Sequence, residues 1–163
     1  MTVTLFRVDD RVIHGQTITR WAVSRPVYGI LVISDSIAKD NLRMRVLKAA
    51  AGNKKVGIYT EEQGINKVKQ AIKSDRNYYV ICETPVVFEN LYKAGVKIEG
   101  FINVGPISSG KDKNSVARNV SIGLEEYNAF DYLSQQGIDI QFQLIPSDDI
   151  TIWDTVKKKY DSM

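Results

Sequence analysis

The residues able to do chemistry sit together near the start of the chain, in Arg7-Val8-Asp9-Asp10-Arg11-Val12-Ile13-His14-Gly15-Gln16. His14 is the only histidine among the 163 residues. A neutral imidazole is a competent nucleophile near pH 7 without a separate base. Arg11, three residues before it, offers a forked guanidinium to the oxygens of a phosphoryl group. Gly15, Gln16 and Thr17 open a run of helical character. Their amides would add N–H donors and the positive end of a helix dipole, and Gly15 lets the backbone come close. Asp9 or Asp10 can accept a hydrogen bond from the second ring nitrogen and so choose the tautomer. At most one of the two should do so, because a carboxylate must not also face the phosphate. This set points to phosphoryl transfer through a phosphohistidine, a reaction that needs alignment and charge neutralisation above all.

Such a loop must be held by a scaffold, and the rest of the chain describes one. Apolar runs of strand length alternate with segments of helical period, which predicts an α/β fold. The expected architecture is an open, mostly parallel sheet of about seven strands with helices on both faces. The strands are expected at 2–8, 29–34, 55–59, 78–82, 100–104, 139–144 and, more weakly, 116–122. Helices are expected at 16–24, 38–51, 61–73, 85–94 and 124–136, with a short terminal helix through Lys159 capped from Ser147-Asp148-Asp149. Thr60 and Gln63 read as a capping box, and Thr84 as the cap before Pro85. Gly95 and Gly137 fall where a helix ends on a positive φ. Ligands of parallel sheets bind beyond the carboxyl ends of the strands. The expected site walls are therefore the loops after the first, fourth and fifth strands, carrying His14, Thr84 and residues 105–114.

Composition narrows the alternatives. Hydrophobic residues make up 44% and charged residues 25%, with a net charge of +3, which suits one globular domain spanning 1–163. Lys54-Lys55 and Lys157-Lys158-Lys159 lack an accompanying aromatic RNA motif, so no nucleic-acid partner is expected. No signal peptide opens the chain and no apolar run nears a membrane span, which predicts a cytoplasmic protein. The single cysteine, Cys82, lies in an apolar strand and reads as a buried small hydrophobe. Trp21 and Trp153 read as core or interface aromatics. No second histidine or cysteine cluster offers metal ligands, so no metal and no cofactor are expected. A G-x-S-x-G elbow is missing, and Gly105-Pro106-Ile107-Ser108-Ser109-Gly110-Lys111 has the wrong spacing for a P-loop.

The segment 7–16, followed by Thr19-Arg20-Trp21, closely resembles the opening of IIB components of the mannose/fructose/sorbose class. These belong to the phosphoenolpyruvate-dependent sugar phosphotransferase system. Further matches are Ile33-Ser34-Asp35 with Ala38-Lys39-Asp40, Ile102-Asn103-Val104-Gly105, Leu133 with Gly137-Ile138, and Gln143 with Pro146. The resemblance implies that His14 accepts a phosphoryl group from a IIA phosphohistidine, on Nδ1. It further implies that the group passes to a sugar bound by the membrane components IIC and IID. Arg11 then matches a phosphate-stabilising arginine, and Asp9 an acid beside the histidine. Candidate phosphate contacts are Gly15, Gln16, Thr84, Gly105 and Ser108. Two departures stand out: Pro106 where many relatives have a second glycine, and Val12 where they have leucine. Pro106 has no N–H, so Ser108 and Ser109 are the candidate replacements. Two competing readings share these residues. One is a regulatory module that docks or is phosphorylated by IIA without feeding transport; the other is a stand-alone phosphate-binding enzyme.

Overall fold

Strand residues buried on both sides dictate the centre of the molecule. The computed structural model describes residues 2–163, apart from the side chains of Gln16 and Thr17. Five parallel-paired strands come first in the chain: β1 (Val3–Val8), β2 (Gly29–Ile33), β3 (Lys55–Tyr59), β4 (Tyr78–Cys82) and β5 (Phe101–Val104). A hairpin of β6 (Asn114–Ala117) and β7 (Val120–Ile122) follows, then β8 (Asp139–Phe142) and β9 (Thr151–Ile152). The main sheet has seven strands in the order β3-β2-β4-β1-β5-β8-β9, all parallel except for the antiparallel pair β8–β9. β1 therefore lies at the centre, between β4 and β5. Its sequence, apart from Thr4 and Arg7, is apolar like Gly29-Ile30-Leu31-Val32-Ile33 in β2, because both faces are covered.

Helices α1 (Gly15–Ser24), α2 (Asp35–Ala38) and α3 (Asn41–Ala50) cover one face. Ile18, Trp21, Ile37 and Leu47 pack there on Leu5, Val32 and Ile81. Helices α4 (Glu61–Lys73), α5 (Pro85–Lys93), α6 (Leu124–Gln135) and α7 (Trp153–Asp161) cover the other. Val68, Phe88, Phe130 and Trp153 pack there on Phe6, Val8, Val80 and Ile102. Alternation along β1 sends Leu5 and Arg7 to the α1 side, and Phe6 and Val8 to the opposite side. That period places a charged side chain inside the molecule.

Several local expectations hold. Thr60 and Gln63 close both bonds of their capping box, at 3.1 and 3.2 Å. Thr84 caps α5 ahead of Pro85, and Gly95 and Gly137 take φ values of 94° and 87°. Cys82 is fully buried, which pushes its thiol pKa well up. Others need correcting. The helix expected at 38–51 starts later, as α3 at Asn41, because Asp40 caps it, accepting from Arg43 N at 3.1 Å; a separate short helix, α2, capped by Ser34, precedes it. The strand expected at 116–122 is the separate β6–β7 hairpin, which turns at Arg118-Asn119 with Asn119 at φ 58°. The seventh strand of the main sheet is β9 instead. Residues 147–149 do not cap α7, which begins at Trp153; Asp148 turns back to accept from Ile145 N at 3.3 Å. Among the described residues, no helix is long and apolar enough to cross a membrane.

Candidate functional site

Arg7 is the residue on which the site is built. Its guanidinium is 1% exposed, directly opposite Asn103 on β5, with the ring of Trp21 5.6 Å from Cζ. Burial pulls its pKa down, and the Asp9 carboxylate opposes that shift. Nε and Nη2 both donate to Asp9 Oδ2, at 3.2 and 3.1 Å, and Nη1 donates to Asn103 Oδ1. Nη1 and Nη2 also reach the carbonyls of Gln143 and Leu144, at 3.5 and 3.3 Å. Asn103 donates in turn to Gln143 O at 2.9 Å, and Trp21 Nε1 to Leu144 O at 3.1 Å. A buried cation is tolerated here because its donors are met and its counter-ion is in contact.

That counter-ion orients the histidine. Asp9 is fully buried, and its Oδ2 lies 2.9 Å from His14 Nε2. Its Oδ1 accepts from Arg11 N at 2.9 Å. A carboxylate paired with Arg7 only accepts, so Nε2 carries the proton and Nδ1 the ring lone pair of the neutral imidazole. Asp10 turns away, its Oδ2 accepting from Ser108 N at 2.6 Å. One acid of the pair touches the ring. The loop reaches this arrangement through a left-handed residue: Val12, 1% exposed, sits at φ 63° while its N–H donates to Asp9 O at 3.0 Å. For a β-branched residue this conformation is strained and persists because neighbouring contacts hold it. His14 itself is the N-cap residue of α1, with its side chain 21% exposed.

A cleft of about 520 Å³ opens over the ring. Arg11, Arg20, Gly15 and Pro106 line it together with Arg118 and Leu144. Its walls thus come from the loops after β1, β5 and β8 and from the tip of the β6–β7 hairpin. Arg11 and His14 are brought together as the sequence suggests, and Gly15 is beside them at the start of α1. Gln16 falls in the first turn of α1, but its side chain lies outside the described residues.

The other expected phosphate contacts are placed elsewhere. The loop after β4 forms no wall of this cleft, because Thr84 leads directly into α5 and its hydroxyl accepts from Val86 N at 3.3 Å. Gly105 donates its N–H to Val8 O at 2.7 Å, and its bare Cα makes room for Arg7. The Ser108 amide is spent on Asp10, and the residue borders a neighbouring polar cleft that Arg11 also lines. Arg7, Asn103, Gln143 and Arg118 receive no role in the sequence reading. Arg7 carries a legible signal: a charge in the middle of a strand otherwise buried on both faces needs a buried partner. Gly105→Ala tests the packing around it, because a Cβ there would overlap Nη2 and Cζ of Arg7. The expected loss is about 1–3 kcal/mol in urea unfolding. An unchanged midpoint would mean the guanidinium has room to move.

Comparison with known proteins identifies the family of the chain. The family model described as "PTS system sorbose subfamily IIB component" matches residues 3–163. The fructose-specific EIIB component of Bacillus subtilis is 32% identical over 153 residues, covering 91% of both chains. The mannose-specific EIIAB component of Escherichia coli is 30% identical over 152 residues, covering 91% of this chain and 46% of that longer protein. The crystal structure of the IIBSor domain of the Klebsiella pneumoniae sorbose permease superposes with a TM-score of 0.89 at 24% identity, covering 100% and 98% of the two chains, which shows a common fold. With the match running from β1 to the end of α7, the chain belongs to the sorbose-subfamily IIB components of the phosphoenolpyruvate-dependent sugar phosphotransferase system.

Proposed function

We propose that this IIB component carries a phosphoryl group on His14, taking it from a phosphohistidine of a IIA partner and giving it to a sugar held by the membrane components IIC and IID, on the cytoplasmic side. The observation that carries the reading is the 2.9 Å contact from the buried Asp9 carboxylate to His14 Nε2. With the Nε2 proton held there, Nδ1 attacks phosphorus. The P–N bond of the donor breaks, the new P–Nδ1 bond forms, and the donor imidazole leaves with its electron pair. The His14 ring gains positive charge as the bond forms, and Asp9 stabilises it as a carboxylate stabilises an imidazolium. Arg11 neutralises the peripheral oxygens in flight, with the N–H groups at the start of α1. The IIA donor is supported by the mannose-specific EIIAB relative, whose name joins IIA and IIB.

The test is intact-mass analysis at non-acidic pH after incubation with phosphoenolpyruvate, the general phosphotransferase proteins and a mannose-class IIA. Wild type should gain one phosphoryl group and His14→Ala none, with both proteins folded. The label should then discharge when permease membranes and sugar are added. A label on His14 that persists in their presence would point to a regulatory role. A label that survives His14→Ala would remove the histidine from the reaction.

A further inference from the structure

The β6–β7 hairpin stands apart from the main sheet, yet its tip is tied to the loop that carries His14. Ile107 N donates to Asn119 O at 3.0 Å, and Ser121 N to Ile107 O at 2.9 Å. The segment holding Ile107 is fastened to the loop of His14 on both sides of Ile107, each time through Asp10. Asp10 N donates to Pro106 O at 3.1 Å, and Asp10 Oδ2 accepts from Ser108 N at 2.6 Å. The tip is therefore placed relative to His14 by a short series of backbone bonds. Arg118 occupies that tip, and it lines the same cleft as His14 and Arg11.

Arg118 is exposed, and among the described residues it forms no ion pair. This holds even though Asp148 lines the same cleft and Asp149 lines the cavity beside it. Asp148 is occupied by the Ile145 amide. Arg20 is a less suitable second cation for the same group, because it lies five residues into α1 from Gly15, about 7.5 Å along the axis at 1.5 Å per residue. A phosphoryl group in transfer spreads charge over three peripheral oxygens, and the fork of one guanidinium reaches two.

Resting on the phosphocarrier reading of His14, we propose that Arg118 is a second phosphoryl-binding arginine. It closes on the group from the hairpin, across the cleft from Arg11. The hairpin is then the part of the fold that presents this cation.

A small donor separates this role from protein docking. Phosphoramidate phosphorylates an accessible histidine directly: its P–N bond breaks, ammonia leaves, and P–Nδ1 forms. The initial rate of His14 phosphorylation by phosphoramidate would be compared for wild type, Arg118→Gln and Arg118→Lys, beside the rate with charged IIA. The expected result is a fall of about tenfold to a hundredfold for Arg118→Gln, a smaller fall for Arg118→Lys, and an unchanged Tm for both. A wild-type rate for Arg118→Gln with phosphoramidate overturns the proposal, even if transfer from IIA slows, since that makes Arg118 a docking residue only. Loss of rate in both variants together with a lowered Tm also overturns it, by making the residue structural. If wild type takes no phosphoryl group from either donor, the carrier reading fails, and this proposal fails with it.

Discussion

Arg7→Met is expected to lower the free energy of unfolding by about 3–5 kcal/mol, the largest stability effect of any single change in the site. Methionine replaces most of the aliphatic stem and can lie on Trp21, so the loss is electrostatic rather than a cavity. It leaves the Asp9 carboxylate fully buried with its counter-ion gone. It also removes the donor from Asn103 Oδ1 and those directed at the carbonyls of Gln143 and Leu144. At about 2–4 °C per kcal/mol for a chain of this size, Tm should fall by roughly 10 °C. Arg7→Lys should recover little, since a single ammonium cannot span Asp9, Asn103 and Leu144 O together. Urea and thermal unfolding at pH 7 decide the matter. A loss under about 1 kcal/mol would show that the buried pair contributes geometry and almost no stability.

Asp9→Asn is expected to slow phosphoryl uptake by His14 by about a hundredfold. Three N–H groups converge on Oδ2, from Arg7 Nε, Arg7 Nη2 and His14 Nε2, and one on Oδ1 from Arg11 N. The asparagine oxygen will take the position that serves three donors, so the tautomer of His14 survives. Two things are lost. The neutral oxygen stabilises a ring gaining positive charge about half as well as a carboxylate, and the amide NH₂ now faces the Arg11 N–H. The first raises the barrier; the second loosens the turn that sets Arg11 beside His14. Phosphoramidate labelling followed by intact mass at non-acidic pH gives the rate without a partner protein. A rate within threefold of wild type would show that Asp9 holds the fold and has no part in the transfer.

Where a residue's neighbours in sequence determine its conformation, the reading from sequence succeeded. The Thr60–Gln63 box, the Thr84-Pro85 start and the glycine ends at Gly95 and Gly137 are local signals with local causes. His14 and Arg11, which share one loop, come to line one cleft for the same local reason. The failures are long-range or competitive. Asp40 could continue a helix or cap one, and the cap won because the chain needed to turn between α2 and α3. Thr84 looked like a site residue because its loop ends a central strand, but that loop feeds α5 at once. Gly105 looked like a phosphate-facing glycine, while its role is to leave room for a side chain from the adjacent strand. Arg118 reaches the cleft only because an off-sheet hairpin folds back over Ile107, which no local pattern announces.

The Arg7 guanidinium reaches carbonyl groups 136 and 137 positions further along the chain. Bonds of such sequence separation close late in folding, since the intervening loop must first lose its freedom. At ordinary rates of synthesis, the last partner of Arg7 leaves the ribosome on the order of ten seconds after the first. During that interval the nascent chain already contains His14 and Arg11, but the segment after β8 that completes the cage around Arg7 does not yet exist. The set of bonds around Arg7 is therefore complete only when nearly the whole of this sequence is in place.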